Sequence, residues 1–421
     1  MNSRLLLRVL LATLLLHSAS ALGEDPEQRA RRILASVPLI DGHNDVPWTI
    51  RENAGNHLAR VDLRSDTRGL EKPMHTDIPR LRSGMVGAQF WSVYVPATLA
   101  EPDAVRTTLE QIDTAKRITA AYSDTFELAL TATDIERIHR EGKIASLIGM
   151  EGGHSIGSSL AVLRQMYDLG ARYMTVTHSK NVPWADSATD DPKLNGLSPF
   201  GEEVIREMTR LGMLVDMSHV AETTMHDILD VTPAPVIFSH SSARALTAHP
   251  RNVPDSVLTR LPKNGGVVMV TFVPPFVSEE NRVWGAMKDA EEARLKNLFT
   301  GSPTKATASL EQWEKDHPRP PATLSQVADH IDHIRAVAGI DHIGIGSDFD
   351  GISSVPLGLE GVETFPALFA ELLRRGYSDD DLRKIAGLNV LRVMRRAEAV
   401  SAELRRSTPP ADVQISEIDG R

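Results

Sequence analysis

The chain has no cysteine among its 421 residues, and this absence limits how it can be stabilised and anchored. Disulfide bridges are excluded, so an exported protein of this kind would depend on the size of its hydrophobic core. The composition, 41% hydrophobic and 24% charged, is that of a globular protein with ample material for such a core. A lipid attached to an N-terminal cysteine is excluded as well.

Acceptor sites for N-linked glycans and stretches of positive charge are also missing. No Asn-x-Ser/Thr triplet occurs in the sequence, which together with the lack of cysteine favours a bacterial periplasmic or secreted protein. The formal net charge is −10, and no basic stripe stands out. Because nucleic-acid binding depends on clustered lysine and arginine, we expect no nucleic-acid partner.

Long apolar runs are absent from the sequence except near its N-terminus. Residues 1–21 combine Arg4 and Arg8 with the run "VLLATLLL" and the small-residue sequence "ASA". This pattern predicts a secretory signal peptide and hence a periplasmic or secreted protein, with an uncleaved membrane anchor as the alternative. The C-terminal sequence "STPPADVQISEIDGR" is polar, so we expect no lipid anchor of the kind that needs a hydrophobic tail.

What the sequence does contain is a regular alternation of strand-like and helix-like segments. Eight apolar, β-rich runs are predicted as strands, at residues 37–41, 86–95, 143–149, 171–177, 212–218, 234–239, 265–272 and 341–347. Segments with helical spacing separate most of them, which predicts an α/β fold with a parallel sheet, and the count favours a closed (β/α)8 barrel. An open doubly wound sheet is the alternative, but "GIGSDFDG" does not complete the G-x-G-x-x-G phosphate motif and no Walker loop occurs.

Three ranges complete the predicted domain organisation. The barrel domain is expected to span residues 22–400, with residues 281–323 as an insertion between strands seven and eight. The insertion combines a helical pattern with the Pro-rich sequence "DHPRPPATL", and either a lid or solvent-exposed decoration would fit it. Residues 401–421 are predicted to be a flexible polar tail.

Residues with metal-ligand chemistry follow strand after strand. They are His43 and Asp45, Glu151, His178, His219, His240 and Asp348. In a barrel these positions all lie at the carboxyl-terminal rim, where active sites form. Mixed imidazole and carboxylate ligands suit Zn²⁺, with Mn²⁺, Co²⁺ or Fe²⁺ as competitors. The set is too large for one tetrahedral ion with an open position, and it fits two ions that share a carboxylate.

Other candidate residues have less specific surroundings. The sequence "GHSIG" matches the G-x-S-x-G nucleophile motif and makes Ser155 a candidate for a serine hydrolase, although Glu151 is better placed at that strand end. His154, beside Glu151, is expected to orient a ligand. Four further histidines lie in helical patterns and are predicted to be on the surface: His139, His226, His330 and His333.

Eight motifs, in order, resemble the membrane (renal) dipeptidase family of binuclear zinc peptidases. They are "DGHNDVPW", "GAQFWSVY", "SLIGMEGGHSI", "THS" with "PWADS", "MSHV", "PVIFSHSSA", "PRNVPD" and "GSDFDG", and they lie between about residues 37 and 397. The family fold is a (β/α)8 barrel, so the resemblance implies the same fold that the strand count favours.

The resemblance implies two Zn²⁺ per chain and a shared carboxylate. One zinc would be bound by His43, Asp45 and Glu151, and the other by Glu151, His219 and His240. A water or hydroxide between the ions would be the nucleophile, because two cations lower the pKa of that water and neutralise the charge that develops on the attacked carbonyl.

The resemblance also implies roles in catalysis and substrate binding for three further residues. His178 would contact the substrate carbonyl or the oxyanion, and Arg251 would hold the C-terminal carboxylate of a dipeptide. Asp348 would orient the water or carry its proton to the leaving amine. The predicted catalytic residues are therefore Asp348, His178 and Glu151; for Arg251 a structural salt bridge is the alternative.

The sequence departs from the family pattern in ways that concern partners and specificity. Vertebrate members are often lipid-anchored and disulfide-linked, whereas a homodimer of this chain, if formed, would lack a disulfide. The segment "TFVPPFVS" and the insertion alter the mouth of the pocket, so the preferred dipeptide is not implied. The expected function is that of an exported zinc dipeptidase. The alternatives are another binuclear amidohydrolase (a lactonase, an aminoacylase or a β-lactam-opening enzyme) and a catalytically silent metal-binding protein.

Overall fold

Eight parallel strands close into a barrel in the computed structural model, which describes residues 24–420. In chain order the strands are β1 Leu39–Asn44, β2 Val86–Ser92, β3 Phe126–Leu128, β4 Ile144–Glu151, β5 Ala171–Thr175, β6 Leu214–Asp216, β7 Ile237–Phe238, β8 Val267–Val270 and β9 Ile343–Ile345. The barrel runs from β1 to β2 and β4 and then in order to β9, which pairs with β1 through Asp41 and Ile345. The predicted (β/α)8 fold is confirmed. The predicted signal peptide, residues 1–21, lies outside the described residues.

The strand β3 is an addition to the eight that the sequence predicts. It pairs with the first half of β4, with Phe126 opposite Ile144 and Leu128 opposite Ser146. Since β5 pairs with the second half of β4, β3 fills the part of that strand which β5 leaves open. Every residue of the eight barrel strands is buried, as expected where helices cover the outside and side chains fill the interior.

Helices surround the barrel and connect its strands. In chain order the α-helices are α1 Pro26–Leu34, α2 Val46–Ala54, α3 Ile78–Ser83, α4 Glu101–Ala121, α5 Ala132–Arg140, α6 Leu160–Asp168, α7 Pro199–Leu211, α8 Glu222–Val231, α9 Asp255–Leu258, α10 Leu261–Asn264, α11 Pro274–Val277, α12 Glu279–Leu298, α13 Pro303–Asp316, α14 Leu324–Val337, α15 Phe365–Arg374, α16 Asp379–Arg383, α17 Asn389–Ser407 and α18 Ile415–Ile418. Local sequence sets their ends: Thr131 and Asp134 form a capping box at the start of α5. Gly212 ends α7 in the left-handed region, with φ 82°.

The predicted insertion forms a helical hairpin, α12 and α13, between β8 and β9. The Nδ2 atom of Asn281 donates to the carbonyl oxygen of Pro320 at 2.7 Å and closes the base of the hairpin. Trp284 donates to the carbonyl oxygen of His317 at 2.7 Å, and its ring packs against Trp313 with the centroids 6.0 Å apart. The hairpin is therefore held together largely by its own contacts.

The C-terminal segment differs from the flexible tail predicted for residues 401–421. The helix α17 continues past residue 400 to Ser407, because its buried face extends to Val400 and Ser401. Beyond it, the carbonyl oxygen of Ala411 accepts a hydrogen bond from Arg164 at 2.8 Å. The Asp419 carboxylate accepts one from the backbone N–H of Phe200 at 2.9 Å. Within residues 24–420, no helix combines the length and apolar character needed to cross a membrane.

Candidate metal centre

The polar residues that follow the strands meet at one end of the barrel. His43 lies in β1, Asp45 follows it directly, and Glu151 is the last residue of β4. Four others follow their strands by two or three residues: His178 after β5, His219 after β6, His240 after β7 and Asp348 after β9. The carboxyl ends of parallel strands share one rim of the barrel, which is why residues so distant in sequence form a single cluster.

Glu151 lies at the middle of this cluster, and its two carboxylate oxygens face different sides of the barrel. Oε2 lies 3.4 Å from Nε2 of His43. Oε1 lies 3.1 Å from Nε2 of His219, 3.5 Å from Nε2 of His240 and 3.6 Å from Nε2 of His178. A carboxylate shared between two ions needs this division, with one oxygen directed to each side.

The β1 side of the cluster follows from the alternation of side chains along a strand. Nε2 of His43 lies 3.2 Å from Oδ2 of Asp45. The intervening Asn44 points elsewhere and donates to Oγ1 of Thr76 at 2.8 Å. Residues i and i+2 of an extended chain share a face, so His43 and Asp45 converge while Asn44 braces the loop behind them.

The backbone is strained at two residues of the cluster. His219 has φ 68° and Asp348 has φ 66°, in the left-handed region that residues other than glycine rarely adopt. Hydrogen bonds hold both in place: the carbonyl oxygen of His219 accepts from Ala188 at 2.8 Å, and the backbone N–H of Asp348 donates to His43 at 3.1 Å. Strain of this kind costs about 1–3 kcal/mol and is concentrated at functional sites, where the surrounding structure maintains it.

One ligand atom of the cluster, Nε2 of His43, lies among carboxylate oxygens without forming a hydrogen bond to them, which suits a cation between them. Nε2 of His43 is buried and has no hydrogen-bond partner among residues 24–420, although carboxylate oxygens of Asp45 and Glu151 lie within 3.4 Å. Leaving such an atom unpaired is costly, and a bound cation would satisfy it.

Three overlapping groups of side chains could each hold an ion, with the ligand atoms of a group within 4.8 Å of one another. The groups are His43, Glu151 and His240; Glu151, His178 and His219; and His43, Asp45 and Asp348. Their imidazole and carboxylate donors match the chemistry that divalent transition-metal ions prefer. The residues present therefore fit a metal centre.

The protonation states of the cluster also suit metal binding. Burial lowers the pKa of His219 and of His240 well below the usual value, and the positive charge of Arg251 adds to the effect, so both imidazoles are neutral. Burial alone would raise the pKa of Glu151, but the charge of His43 and contact with His219 hold it well below the usual value. The central carboxylate is therefore ionised beside the neutral imidazoles of His219 and His240. Burial would lower the pKa of His43, but the nearby charges of Glu151 and Asp45 hold it well above its usual value, so a metal ion bound there would displace a proton.

An open cleft of about 440 Å³ gives access to the cluster. It is lined by Asp45, Trp48, Glu52, Tyr94, Glu151, His178, His219, Arg251, Val273, Phe276, Asp348, Asp350, Gly351 and Ile352. Burial raises the pKa of Asp348 well above its usual value, and the negative charge of Asp45 adds to this, which favours the protonated acid. In the part of the chain that the structure describes, no residue of the insertion 281–323 lines the cleft, so its lining gives no support to a lid role.

Arg251 places a buried positive charge beside the cluster. The residue is 2% exposed, and burial lowers its pKa to about 10, which still leaves it charged at neutral pH. Two guanidinium nitrogens donate to Oγ of Ser241 and to the carbonyl oxygen of His240, both at 3.2 Å, while Nε has no hydrogen-bond partner among the described residues. No described carboxylate forms an ion pair with Arg251, so the predicted alternative of a structural salt bridge does not hold within residues 24–420.

His178 faces the cleft rather than the interior of the cluster. Its side chain is 16% exposed, and its Nε2 atom lies farther from Glu151 than that of His219 does, at 3.6 Å against 3.1 Å. Its ring lies between the rings of His219 and Tyr94, with centroid distances of 4.2 Å and 5.1 Å. The imidazole is therefore fixed in position and open to a bound molecule.

The serine in "GHSIG" is not part of a catalytic triad. Its Oγ is buried without a hydrogen-bond partner among the described residues, and Ser155 does not line the cleft. The motif forms a short 3-10 turn, Gly153–Ile156. The neighbouring His154 forms its hydrogen bond with the carbonyl oxygen of Val95 at 3.2 Å, away from the cluster. The serine-hydrolase hypothesis therefore finds no support in the arrangement.

The prediction of a surface position for His330 is wrong. The residue is fully buried on α14, where Nδ1 accepts from the backbone N–H of Ala243 and Nε2 donates to the carbonyl oxygen of Val277, both at 3.0 Å. His330 thereby connects the two segments that carry Arg251 and Phe276 into the cleft. The other three helical histidines, His139, His226 and His333, are partly exposed.

A layer of polar residues lies beneath the cluster, and the site predicted from the sequence does not include it. Ser92 donates to Oε2 of Glu151 at 3.1 Å. Burial raises the pKa of Asp41 to about 6, although its carboxylate accepts from Ser347 at 2.7 Å and from Gln89 at 3.0 Å. Such residues alternate with apolar ones along the strands, but nothing in a single sequence states which residue on another strand each would contact.

Comparisons with known proteins identify relatives of this chain. The sequence profile of the family described as Membrane dipeptidase (Peptidase family M19) matches residues 27–408. Among solved structures, the chain is similar to the probable dipeptidase PvdM from Pseudomonas aeruginosa, with 23% identity over 89% of this chain and 99% of that one, and a TM-score of 0.75. It is also similar to a metallopeptidase from Rhodobacter sphaeroides bound to a phosphinate mimic of the dipeptide L-Ala-D-Ala, with 24% identity over 86% of this chain and 99% of that one, and a TM-score of 0.70. At these identities the structural matches show a shared fold.

Proposed function

Because the chain belongs to the membrane dipeptidase family and is a metallo-dipeptidase, we propose that it is an exported zinc enzyme that cleaves dipeptides with a free C-terminal carboxylate. The proposed ligands are His43, Asp45 and Glu151 for one Zn²⁺, and Glu151, His219 and His240 for the other. Two bound ions would lower the pKa of a water held between them and so supply the nucleophile. The division of the Glu151 oxygens between the two sides of the cluster supports this assignment.

The observation that carries the choice of substrate is the unpaired charge of Arg251. A metal centre can hydrolyse many amides, so selection for dipeptides needs a group that recognises a carboxylate one residue beyond the scissile bond. Arg251 lines the cleft, is buried, and has no ion-pair partner among the described residues. Its guanidinium lies 5.2 Å from the centroid of the Phe276 ring but has no carboxylate among residues 24–420 to neutralise it. A buried cation without a carboxylate is costly, and a substrate carboxylate would supply that partner through paired N–H···O contacts.

Two further residues are proposed to act on the reacting amide. His178 faces the cleft and would hydrogen-bond the scissile carbonyl oxygen and the oxyanion that replaces it. Asp348 lines the same cleft in an environment that favours its protonated form, and it would transfer a proton to the leaving amine. Glu151 would act in catalysis by holding both ions at the reaction centre.

Export is proposed from the N-terminal sequence. Residues 1–21 have the charged, apolar and small-residue regions of a signal peptide, and their removal would leave a periplasmic or secreted enzyme. N-terminal sequencing of protein recovered from the periplasm should give a chain that begins near residue 22. An intact N-terminus on exported protein would favour a membrane anchor instead.

The variant Arg251→Ala tests the proposed substrate. We expect it to lose about 30-fold or more in kcat/KM for dipeptides, since removing one partner of a desolvated charge pair costs about 2–5 kcal/mol. It should keep its metal, because Arg251 is not a proposed ligand. Amidating the dipeptide should reduce the activity of the wild type by a similar factor and make little further difference to the variant.

Arg260→Ala is the matched control for this experiment. Arg260 lies in the same connection between β7 and β8 but pairs with Asp230 outside the cleft, so its loss should leave kcat/KM nearly unchanged. If the wild type cleaves dipeptide amides as fast as free dipeptides, Arg251 does not recognise the carboxylate. In that case a broader binuclear amidohydrolase becomes the better proposal.

A further inference from the structure

Two of the proposed ligand histidines are each hydrogen-bonded through Nδ1 to one buried hydroxyl group. Nδ1 of His43 lies 2.9 Å from the hydroxyl oxygen of Tyr173 on β5. Nδ1 of His240 lies 2.8 Å from Oγ of its neighbour Ser239. Both hydroxyl-bearing residues are fully buried, so water does not compete for these contacts. In each histidine the other nitrogen, Nε2, faces Glu151.

The proton of the Tyr173 hydroxyl is already committed to an acceptor. The hydroxyl donates to the carbonyl oxygen of Gly42 at 3.2 Å, and a carbonyl oxygen cannot donate in return. A hydroxyl has one proton, so towards His43 the oxygen of Tyr173 must accept. Nδ1 of His43 therefore carries the ring proton, and Nε2 is left with the lone pair that a metal ion requires.

The proton of the Ser239 hydroxyl is committed in the same way. It is donated to Oδ2 of Asp216 at 2.6 Å. Asp216 also accepts from the backbone N–H groups of Ser218 and Ser239, at 3.0 Å and 2.8 Å, and from Oγ1 of Thr175 at 2.5 Å, so every contact treats it as a carboxylate. Ser239 must then accept from Nδ1 of His240. Nε2 of His240 therefore carries the lone pair, with which it faces Glu151 and accepts from Nε2 of His219 at 3.0 Å.

Glycine at position 149 allows the Tyr173 hydroxyl to reach His43. Gly149 on β4 is paired with Tyr173 on β5, and a Cβ atom at position 149 would collide with the phenol ring and its oxygen. The strand β4 therefore has no side chain at the point where the Tyr173 phenol crosses it. This close approach shows that the position of the hydroxyl is fixed by the barrel itself.

From these contacts we propose that Tyr173 and Ser239 are positioning residues that fix the tautomer of one ligand histidine each, and that each serves a different one of the two metal sites. Tyr173 acts on the site of His43 and Asp45, and Ser239 on the site of His219 and His240. The proposal rests on the ligand assignment in the proposed function. Loss of a hydroxyl frees its histidine to adopt the wrong tautomer, with the proton on Nε2, which competes with the metal.

The test measures metal binding to the full-length protein in the absence of substrate. Metal-free wild type is titrated with Zn²⁺ in competition with a chromophoric chelator, which resolves two binding constants. We expect Tyr173→Phe to weaken one of them by about 10–100-fold and to leave the other within a few-fold, and Ser239→Ala to do the same. Ser239→Thr keeps the hydroxyl and should restore wild-type binding.

Double variants identify which site each hydroxyl serves. Adding Tyr173→Phe to His43→Ala should cause no further loss, because the histidine it positions is gone, whereas adding it to His240→Ala should cause the full loss. For Ser239→Ala the opposite is expected: no further loss when it is added to His240→Ala, and the full loss when it is added to His43→Ala. Matched controls remove buried hydroxyls elsewhere: Tyr122, which accepts from Leu63 at 3.0 Å, and Ser401, which donates to Arg210 at 2.6 Å. Tyr122→Phe and Ser401→Ala should bind Zn²⁺ as the wild type does.

The outcomes separate this inference from the proposed function. If the wild type binds no Zn²⁺, the proposed function fails; if it binds two ions and Tyr173→Phe binds both equally well, the inference fails. Nitrogen NMR of the histidine rings in the metal-free wild type needs no variant to fold, and it is recorded at a pH high enough for His43 to be neutral, because the nearby carboxylates raise its pKa. It should show His43 and His240 protonated on Nδ1, and protonation of either on Nε2 would overturn the proposal for that residue.

Discussion

Glu151 and Asp348 are carboxylates at the rim of the barrel, but Glu151 is buried whereas Asp348 is partly exposed. The oxygens of Glu151 lie within 3.6 Å of four imidazole nitrogens, whereas Asp348 lies at the wall of the cleft. We expect Glu151→Ala to lose most of its metal. Asp348→Ala should keep most of its metal and lose about 10²–10⁴-fold in kcat, the usual contribution of a positioned proton donor.

Metal content and kcat measured on the same preparations of both variants test this difference. His43, Asp45 and Asp348 can also be grouped around one point, with ligand atoms within 4.8 Å of one another. Equal loss of metal in the two variants would therefore place Asp348 among the ligands and remove its separate role in proton transfer.

His330 should make the stability of the protein depend on pH. Burial lowers its pKa to about 4 from the usual 6.5, so the unfolded chain takes up a proton at a higher pH than the folded protein does. The contribution of the neutral imidazole is complete above pH 6.5. It is lost as the pH falls from 6.5 towards 4, by about 1.4 kcal/mol per pH unit.

The free energy of unfolding in urea, measured from pH 7 to pH 5, tests this prediction. His330→Asn should be less stable than the wild type at pH 7 by about 1–3 kcal/mol, and the difference should shrink as the pH falls. His333→Asn is the control on the same helix, since His333 is partly exposed and bonded to Asp255. Parallel pH profiles for the wild type and His330→Asn would contradict the prediction.

At the scale of elements, the helical hairpin of α12 and α13 should be dispensable for catalysis. Its base is closed by the contact between Asn281 and Pro320, so a short Gly/Ser linker can replace residues 284–316 without moving the flanking chain. Because no described residue of the hairpin lines the cleft, we expect kcat/KM for dipeptides to stay within about threefold of the wild type. A large rise in KM would show that the hairpin reaches the substrate.

The elements that sequence predicts well are the barrel strands, and the reason is physical. Each barrel strand is buried on both faces, so most of them lie in largely apolar runs of the sequence. The strand Phe126–Leu128 is missing from the prediction because it has only three residues, and two of them, Glu127 and Leu128, are partly exposed. Residues 401–407 are mostly polar, so the sequence does not show that they continue the helix whose buried face extends to Val400 and Ser401.

The site could be predicted as a set of residue types at strand ends, but not as a set of contacts. Asp216 and Ser239 lie in or beside strands whose apolar pattern hides them, and their hydrogen bond joins two strands. His330 lies on a helix whose periodicity does not show which face is covered. Pairing between strands and the covering of a helix face are properties of the folded chain, so a single sequence leaves them open.

For the molecule as a whole, bound ions should add to stability. Ions that bind the folded state alone stabilise it by about 2.7 kcal/mol per site at a concentration 100-fold above the dissociation constant. Dialysis against a chelator should therefore abolish activity and lower the thermal unfolding temperature by several degrees, and Zn²⁺ or Co²⁺ should restore both. A reductant should have no effect, because the chain has no cysteine. Metal loss confirmed by elemental analysis with no change in unfolding temperature would contradict a centre that is part of the folded core.

The pairing of β1 with β9, which closes the barrel, limits the order in which the parts of this protein can fold. Ser347 donates to Asp41 across 306 positions of sequence, and the backbone N–H of Asp45 donates to Phe349. A ribosome that has reached residue 300 has synthesised all five proposed ligands but not the strand that closes the ring around them. Pairing over such separations is slow, because the ends of a long loop must first meet. In a chain exported before folding, closure of the ring and capture of the ions would both take place on the far side of the membrane.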